Sequence, residues 1–83
     1  MLTDYEIYKR VDAMLPAEVD RELSETAISC GEPESAIATL ISFASEDGLL
    51  TDKVIELLSS EYEHGVVALT LGAIVDAMKQ DAA

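Results

Sequence analysis

The sequence is poor in the residues that do chemistry. Histidine and cysteine occur once each, as His64 and Cys30, and tryptophan is absent. A lone cysteine excludes an internal disulfide and fits a reducing compartment. One histidine and one cysteine cannot build a zinc cage. Cys30 has no histidine near it in sequence to activate it as a nucleophile, so it reads as a small core residue. His64, in "EYEHG", reads as a surface residue at a helix end rather than a catalytic base. No P-loop, G-x-G-x-x-G or EF-hand loop is present, and "SEDGLLTD" has acids and a glycine at the wrong spacing for calcium. These absences predict no enzyme, no metal and no cofactor.

Long apolar runs are missing too. The longest, "VVALTLGAIV" at 66–75, is ten residues, whereas a bilayer span takes about 20. The start, "MLTDYEIYKR", is acidic and polar without an apolar h-region, so no signal peptide is expected. The sequence therefore predicts a cytoplasmic protein. Aromatic side chains number four, Tyr5, Tyr8, Phe43 and Tyr62, so the core must be aliphatic.

Positive charge is the scarcest commodity. Five bases face seventeen acids, for a net charge of −12 over 83 residues. Such a field repels phosphate backbones and anionic membranes, which argues against direct binding to either. It attracts a basic partner and speeds association with one. Solubility alone is the plainer account of an acidic surface, but the density here exceeds what solubility needs.

What is present is enough for one folded domain over 1–83. Apolar residues make up 49% of the chain, which argues against disorder, although a chain this short buries only about 60% of its unfolded surface. Thr3-x-x-Glu6 is a capping box that starts a first helix. Its apolar stripe is Ile7, Val11, Met14 and Leu15. Pro16 ends that helix and suits the first turn of a second, expected over 16–30 with Val19, Leu23, Ala27 and Cys30 inward and Glu18, Glu22 and Glu25 outward. In "GEPE" Gly31 suits a helix stop and Pro33 a helix start, so helices two and three should lie side by side. The third helix is expected over 33–46, with Ile37, Leu40, Ile41 and Ala44 inward, Phe43 beside them and Gly48 at its stop. Leu49 and Leu50 should tuck into the core. Thr51 caps a fourth helix with Ile55, Leu58 and Tyr62 inward, helped by Val54 and Leu57. Asp52, Glu56, Ser59 and Glu63 recur outward. After Gly65 the tail is apolar nearly all round. Its valines would also suit a strand, but with no other strand to pair with, a helix is expected. Such a helix is either central or half of a homodimer interface over 66–78. The expected fold is all-α, a compact bundle of four to five short helices.

The stretch "SCGEPESAIATLISFASEDGLLTDKVIELLSSEY" resembles the Maf-type family of small immunity proteins that accompany polymorphic toxins. The shared pattern is Gly31-Glu32 opening a helix, the Ala36-to-Leu40 spacing, the acidic helix end at Glu46, then a short turn and the helix begun by Thr51. It covers roughly residues 26–62. Ser35 stands where the family commonly has an apolar residue. The resemblance implies a protein that binds a cognate toxin domain and blocks it; many such toxins are nucleases, EndoU-like ribonucleases among them. A nuclease site is basic because it holds phosphates, so a −12 chain suits one as a plug. On that reading Glu46, Asp47, Asp52, Glu56 and Glu63 are the partner contacts, with Tyr62 as an aromatic anchor. Two rivals stay open on the residues: a small acidic regulatory or nucleic-acid-mimic module, and a structural domain that dimerises through its apolar tail.

Overall fold

The structure is a computed structural model that describes residues 1–82. It contains five helices in chain order: α1 (Asp4–Met14), α2 (Glu22–Ser29), α3 (Pro33–Glu46), α4 (Asp52–Glu61) and α5 (Val66–Ala82). No strand occurs among the described residues, and 66–75 is helix. The all-α bundle expected from the sequence is what forms.

Its centre is α3, which packs against α1, α2 and α5; α4 packs against α5. Ala36, Ile37, Leu40, Ile41 and Ala44 are fully buried, as the 3.6-residue spacing of α3 requires. Ile7, Tyr8, Val11 and Leu15 close one side, and Val54, Leu58, Val67 and Leu71 close the other. Leu49 and Leu50 are half-buried against this cluster.

The helix ends follow local chemistry. Thr3 accepts from the Glu6 N–H and the Glu6 carboxylate accepts from the Thr3 N–H, both at 3.1 Å. This bond to a backbone donor holds the Glu6 carboxyl below its ordinary value. Both α2 and α3 end in a Schellman motif. The Glu32 N–H reaches the Ala27 carbonyl at 2.9 Å and Gly31, at φ +75°, reaches Ile28; the Leu49 N–H reaches Ala44 at 2.8 Å and Gly48, at φ +70°, reaches Ser45. Pro33 then opens α3 within the same four residues. Thr51 caps α4 by accepting from the Val54 N–H.

The second helix differs from expectation. It starts at Glu22 rather than Pro16, and residues 16–21 form a tight irregular turn. The cause is Arg21. Its guanidinium has five N–H donors, and all five are used within this joint. Nε donates to the Asp12 carboxylate, Nη1 to the carbonyls of Pro16 and Val19, and Nη2 to those of Asp12 and Leu15. These are carbonyls that the end of α1 and the turn leave without helical partners. One side chain replaces about a turn of helix.

The later start shifts the inward face of α2. Leu23 and Cys30 are exposed, not inward, and Val19 is buried from the turn, not from a helix. The residues that face in are Ser24, Ala27 and Ile28. Ser24 is fully buried because it has partners for its hydroxyl: the Tyr8 hydroxyl at 3.2 Å and the Arg21 carbonyl at 3.0 Å. Met14, expected in the α1 stripe, is exposed where α1 runs out. Nor is α5 central. Val67 and Leu71 are buried, Ile74 and Val75 are partly so, and Val66, Leu69 and Met78 are exposed.

Candidate partner-binding surface

The start of α1, the start of α3 and the α4–α5 connection meet at one end of the bundle. They enclose an open cleft of about 520 Å³ lined by Asp4, Glu34, Glu61, Tyr62, Glu63 and His64, with Ser60 and Gly65. Four carboxylates line it and no lysine or arginine does. A second groove of about 290 Å³ shares Asp4 and Glu34 and adds Glu32, Pro33, Ser35 and Val66.

Tyr62 forms one wall of the cleft. It is the residue after α4, its N–H donates to the Leu58 carbonyl at 2.9 Å, and it is half-buried. Its hydroxyl donates to Asp4 Oδ1 at 2.6 Å, a bond that spans 58 residues of sequence. Burial, then the Asp4 carboxylate that accepts its proton, pushes the phenol well above its ordinary value of 10.0. Glu34 and Glu61 add to that shift. Tyr62 is therefore a neutral donor at neutral pH, locked in place at the edge of an acidic hollow.

The acids of the cleft fall into two kinds. Asp4 and Glu34 lie in the first turns of α1 and α3, where the helix dipole favours them. Glu61 and Glu63 lie at the end of α4, where it does not. Glu46 and Asp47 likewise end α3 with no base in the last turn. Acids at helix C-termini are held against a local electrostatic cost of a few tenths to about 1 kcal/mol.

The six residues expected as partner contacts do not form one patch. Tyr62 and Glu63 belong to the cleft at the end of α4. Asp52 opens α4, and Glu56 lies between, so Asp52 and Glu61 stand about 13 Å apart along the axis. Glu46 and Asp47 border the α3–α4 turn at the Asp52 end. All five acids are exposed. Asp4, Glu34 and Glu61 were missed by sequence reasoning. The capping box and Pro33 place two of them in first turns, but nothing local says that those two helix starts meet at Tyr62.

Elsewhere the charge is scattered and unpaired. The Arg21–Asp12 pair is the one salt bridge among the described residues. Lys9 lies 5.2 Å from the centre of the Tyr5 ring on the exposed side of α1. No group of three or more His, Cys, Asp or Glu is arranged to hold a metal ion among the described residues. No described helix is long and apolar enough to cross a membrane.

Compared with known proteins, the chain matches no family model, no curated protein and no solved structure.

Proposed function

We propose that this protein is an immunity-type inhibitor: a non-catalytic module that binds the basic substrate groove of a nuclease toxin domain and blocks it. The observation that supports this reading is the placement of acids at helix C-termini. Glu46 and Asp47 end α3, and Glu61 and Glu63 flank the end of α4, with no base in either last turn. Folding gains nothing from them there. A basic partner would supply the counter-charge the fold withholds, and no described acid is buried away from such a partner.

Tyr62 suits the anchor role because its hydroxyl is held by Asp4 and its backbone N–H by the Leu58 carbonyl before any partner arrives. A pre-set aromatic loses little freedom on binding. The carboxylates around it match the guanidinium and ammonium groups that a nuclease uses to hold phosphates. The same chemistry serves a nucleic-acid mimic acting on another basic protein, and identification of the captured partner separates the two.

The test is a titration of the product of the adjacent gene with this chain, reading complex mass and nuclease activity. A one-to-one complex without nuclease activity, weakened between about 0.05 and 0.5 M salt, is the expected result. Neutralising Glu61 and Glu63 together should then weaken binding at least about tenfold, on the scale of lost charged contacts. If neutralising Glu46, Asp47, Asp52, Glu56 and Glu63 leaves affinity unchanged, those residues are not the contact. If no basic protein is held at low salt, the inhibitor reading fails.

A further inference from the structure

The Tyr62 cleft does not stand alone. Next to it is a third hollow of about 670 Å³, lined by Met1, Leu2 and Ile7 with Asp4, Ser60 and Glu61. It shares Asp4, Ser60 and Glu61 with the cleft. The cleft in turn shares Asp4 and Glu34 with the groove beside Pro33 and Val66. The two outer hollows have only Asp4 in common. The three therefore join into one depression, and Asp4 is the saddle where they meet.

This depression is lined by two kinds of group. Five carboxylates belong to it, those of Asp4, Glu32, Glu34, Glu61 and Glu63, and no lysine or arginine does. Apolar side chains stand in both outer hollows: the half-buried Leu2 in one and Val66, 42% exposed, in the other. Acids alone would suit any cation, down to a simple salt ion. Such an ion would leave the apolar walls in water. Covering them takes an occupant that carries apolar groups together with positive charge.

Shape and charge narrow the occupant further. A depression is filled by something that projects. A substrate groove is itself concave, so groove laid against cleft leaves both unfilled, whereas a loop or tail that stands out from its parent protein can enter. A second copy of this chain, at −12, is repelled, and so is a nucleic acid. We infer that the depression takes a linear basic segment of the partner, in which basic residues alternate with apolar ones. The basic side chains meet Glu34 and Glu61, and the apolar ones cover Leu2 and Val66. That occupant rests on reading this end of the bundle as the partner surface, but it does not require the partner to be a nuclease.

Synthetic peptides test it without knowing the partner. The whole chain is titrated calorimetrically with three capped octapeptides, of alternating arginine and leucine, arginine and glycine, or glutamate and leucine. The salt is about 0.15 M, where screening confines charge effects to about 8 Å. The arginine–leucine peptide should bind at least about tenfold more tightly than the arginine–glycine peptide of equal charge, and the glutamate–leucine peptide should not bind. Glu34→Gln with Glu61→Gln should weaken the arginine–leucine peptide at least about tenfold. Glu46→Gln with Asp47→Asn removes the same charge at the far end of α3, about 18 Å along the axis from Glu34, and should change it by less than about twofold. Amide chemical shifts locate the peptide on the unaltered chain: those of Leu2, Tyr62 and Val66 should move, and that of Leu69 should not. Equal losses from the two charge pairs would reduce the binding to diffuse attraction and overturn the proposal. So would equal affinity for the two arginine peptides, shifts centred away from Asp4, or no binding of any peptide. If the product of the adjacent gene is still held when the peptides are not, the linear segment falls and the inhibitor reading stands. If the arginine–leucine peptide binds as expected and no basic protein is held, the inhibitor reading falls and the depression keeps its ligand class.

Discussion

Helices α3 and α5 are alike in sequence and unlike in use. Residues 35–45 of α3 and 66–75 of α5 contain no ionisable group. Yet α3 is buried along its whole inner face, while α5 buries Val67 and Leu71 and leaves Leu69 standing in solvent. The difference is the number of neighbours. α3 meets α1, α2 and α5, whereas the packing on α5 comes from α3 and α4. Apolar content specifies that a helix can be covered, and topology decides how much of it is. What α5 leaves uncovered is Val66, Leu69 and Met78.

The largest test of this contrast is a pair of truncations. Leu40→Ala in α3 should cost about 4 kcal/mol of folding stability in urea titrations, near the top of the range for buried leucines. Leu71→Ala in α5 should cost about 2–3 kcal/mol, because its cavity lies nearer the surface. Equal costs would mean that α5 is as much a part of the core as α3.

Both helices begin at the Tyr62 cleft, so the next test is Tyr62→Phe. Losing the bond to Asp4 should cost about 1–2 kcal/mol. The sign of its pH dependence is fixed. The phenol is raised in the folded chain, so the protonated form is favoured by folding. That contribution is intact below pH 10.0, the ordinary value, and declines as pH rises beyond it and the unfolded chain ionises. Wild type should therefore lose more stability than Tyr62→Phe on alkaline titration, and parallel curves would place the hydroxyl in solvent.

Gly72→Ala should sharpen the contrast from the other side. It should stabilise the monomer by about 0.5–1 kcal/mol, since the added methyl meets nothing within the chain. The equivalent gain is not available in α3, whose small residues Ala36 and Ala44 are fully buried. The smallest effect belongs to the helix ends. Glu61→Gln should raise stability by under about 1 kcal/mol, because the charge sits at the wrong end of α4. A loss of stability instead would show that the fold itself uses that acid.

Much of this was legible in the sequence, and the failures share a cause. The Thr3–Glu6 box, Pro33, Gly31, Gly48 and Thr51 act within four residues of themselves, and each sits where local chemistry puts it. The stripe of α3 is equally plain, since period and burial coincide. Pro16 suits a first helical turn, so the local sequence of 16–21 predicts a helix where a turn forms. The reach of Arg21 back to Asp12 and Leu15 is a tertiary contact with no local signature. The same start shift turned Leu23 and Cys30 outward and put Ser24 inside, where only the distant Tyr8 makes its hydroxyl tolerable. In the candidate surface, Tyr62 and Glu63 could be named from their helix, but Asp4 and Glu34 come from chain segments 58 and 28 residues away from Tyr62. Their meeting is a product of packing.

The Arg21 joint bears on how this protein meets its solvent. Its five bonds hold carbonyls and one carboxylate with a planar cation, next to the buried Leu15 and Val19. Free guanidinium ion has the same head group and can compete for the same oxygens, whereas urea is neutral. At guanidinium chloride concentrations too low to unfold the bundle, amide exchange over 15–21 should therefore quicken while that of α3 stays unchanged, and urea at matched denaturing strength should not reproduce the effect. Two standard denaturants would then report different first events, because one of them is a soluble copy of a structural side chain.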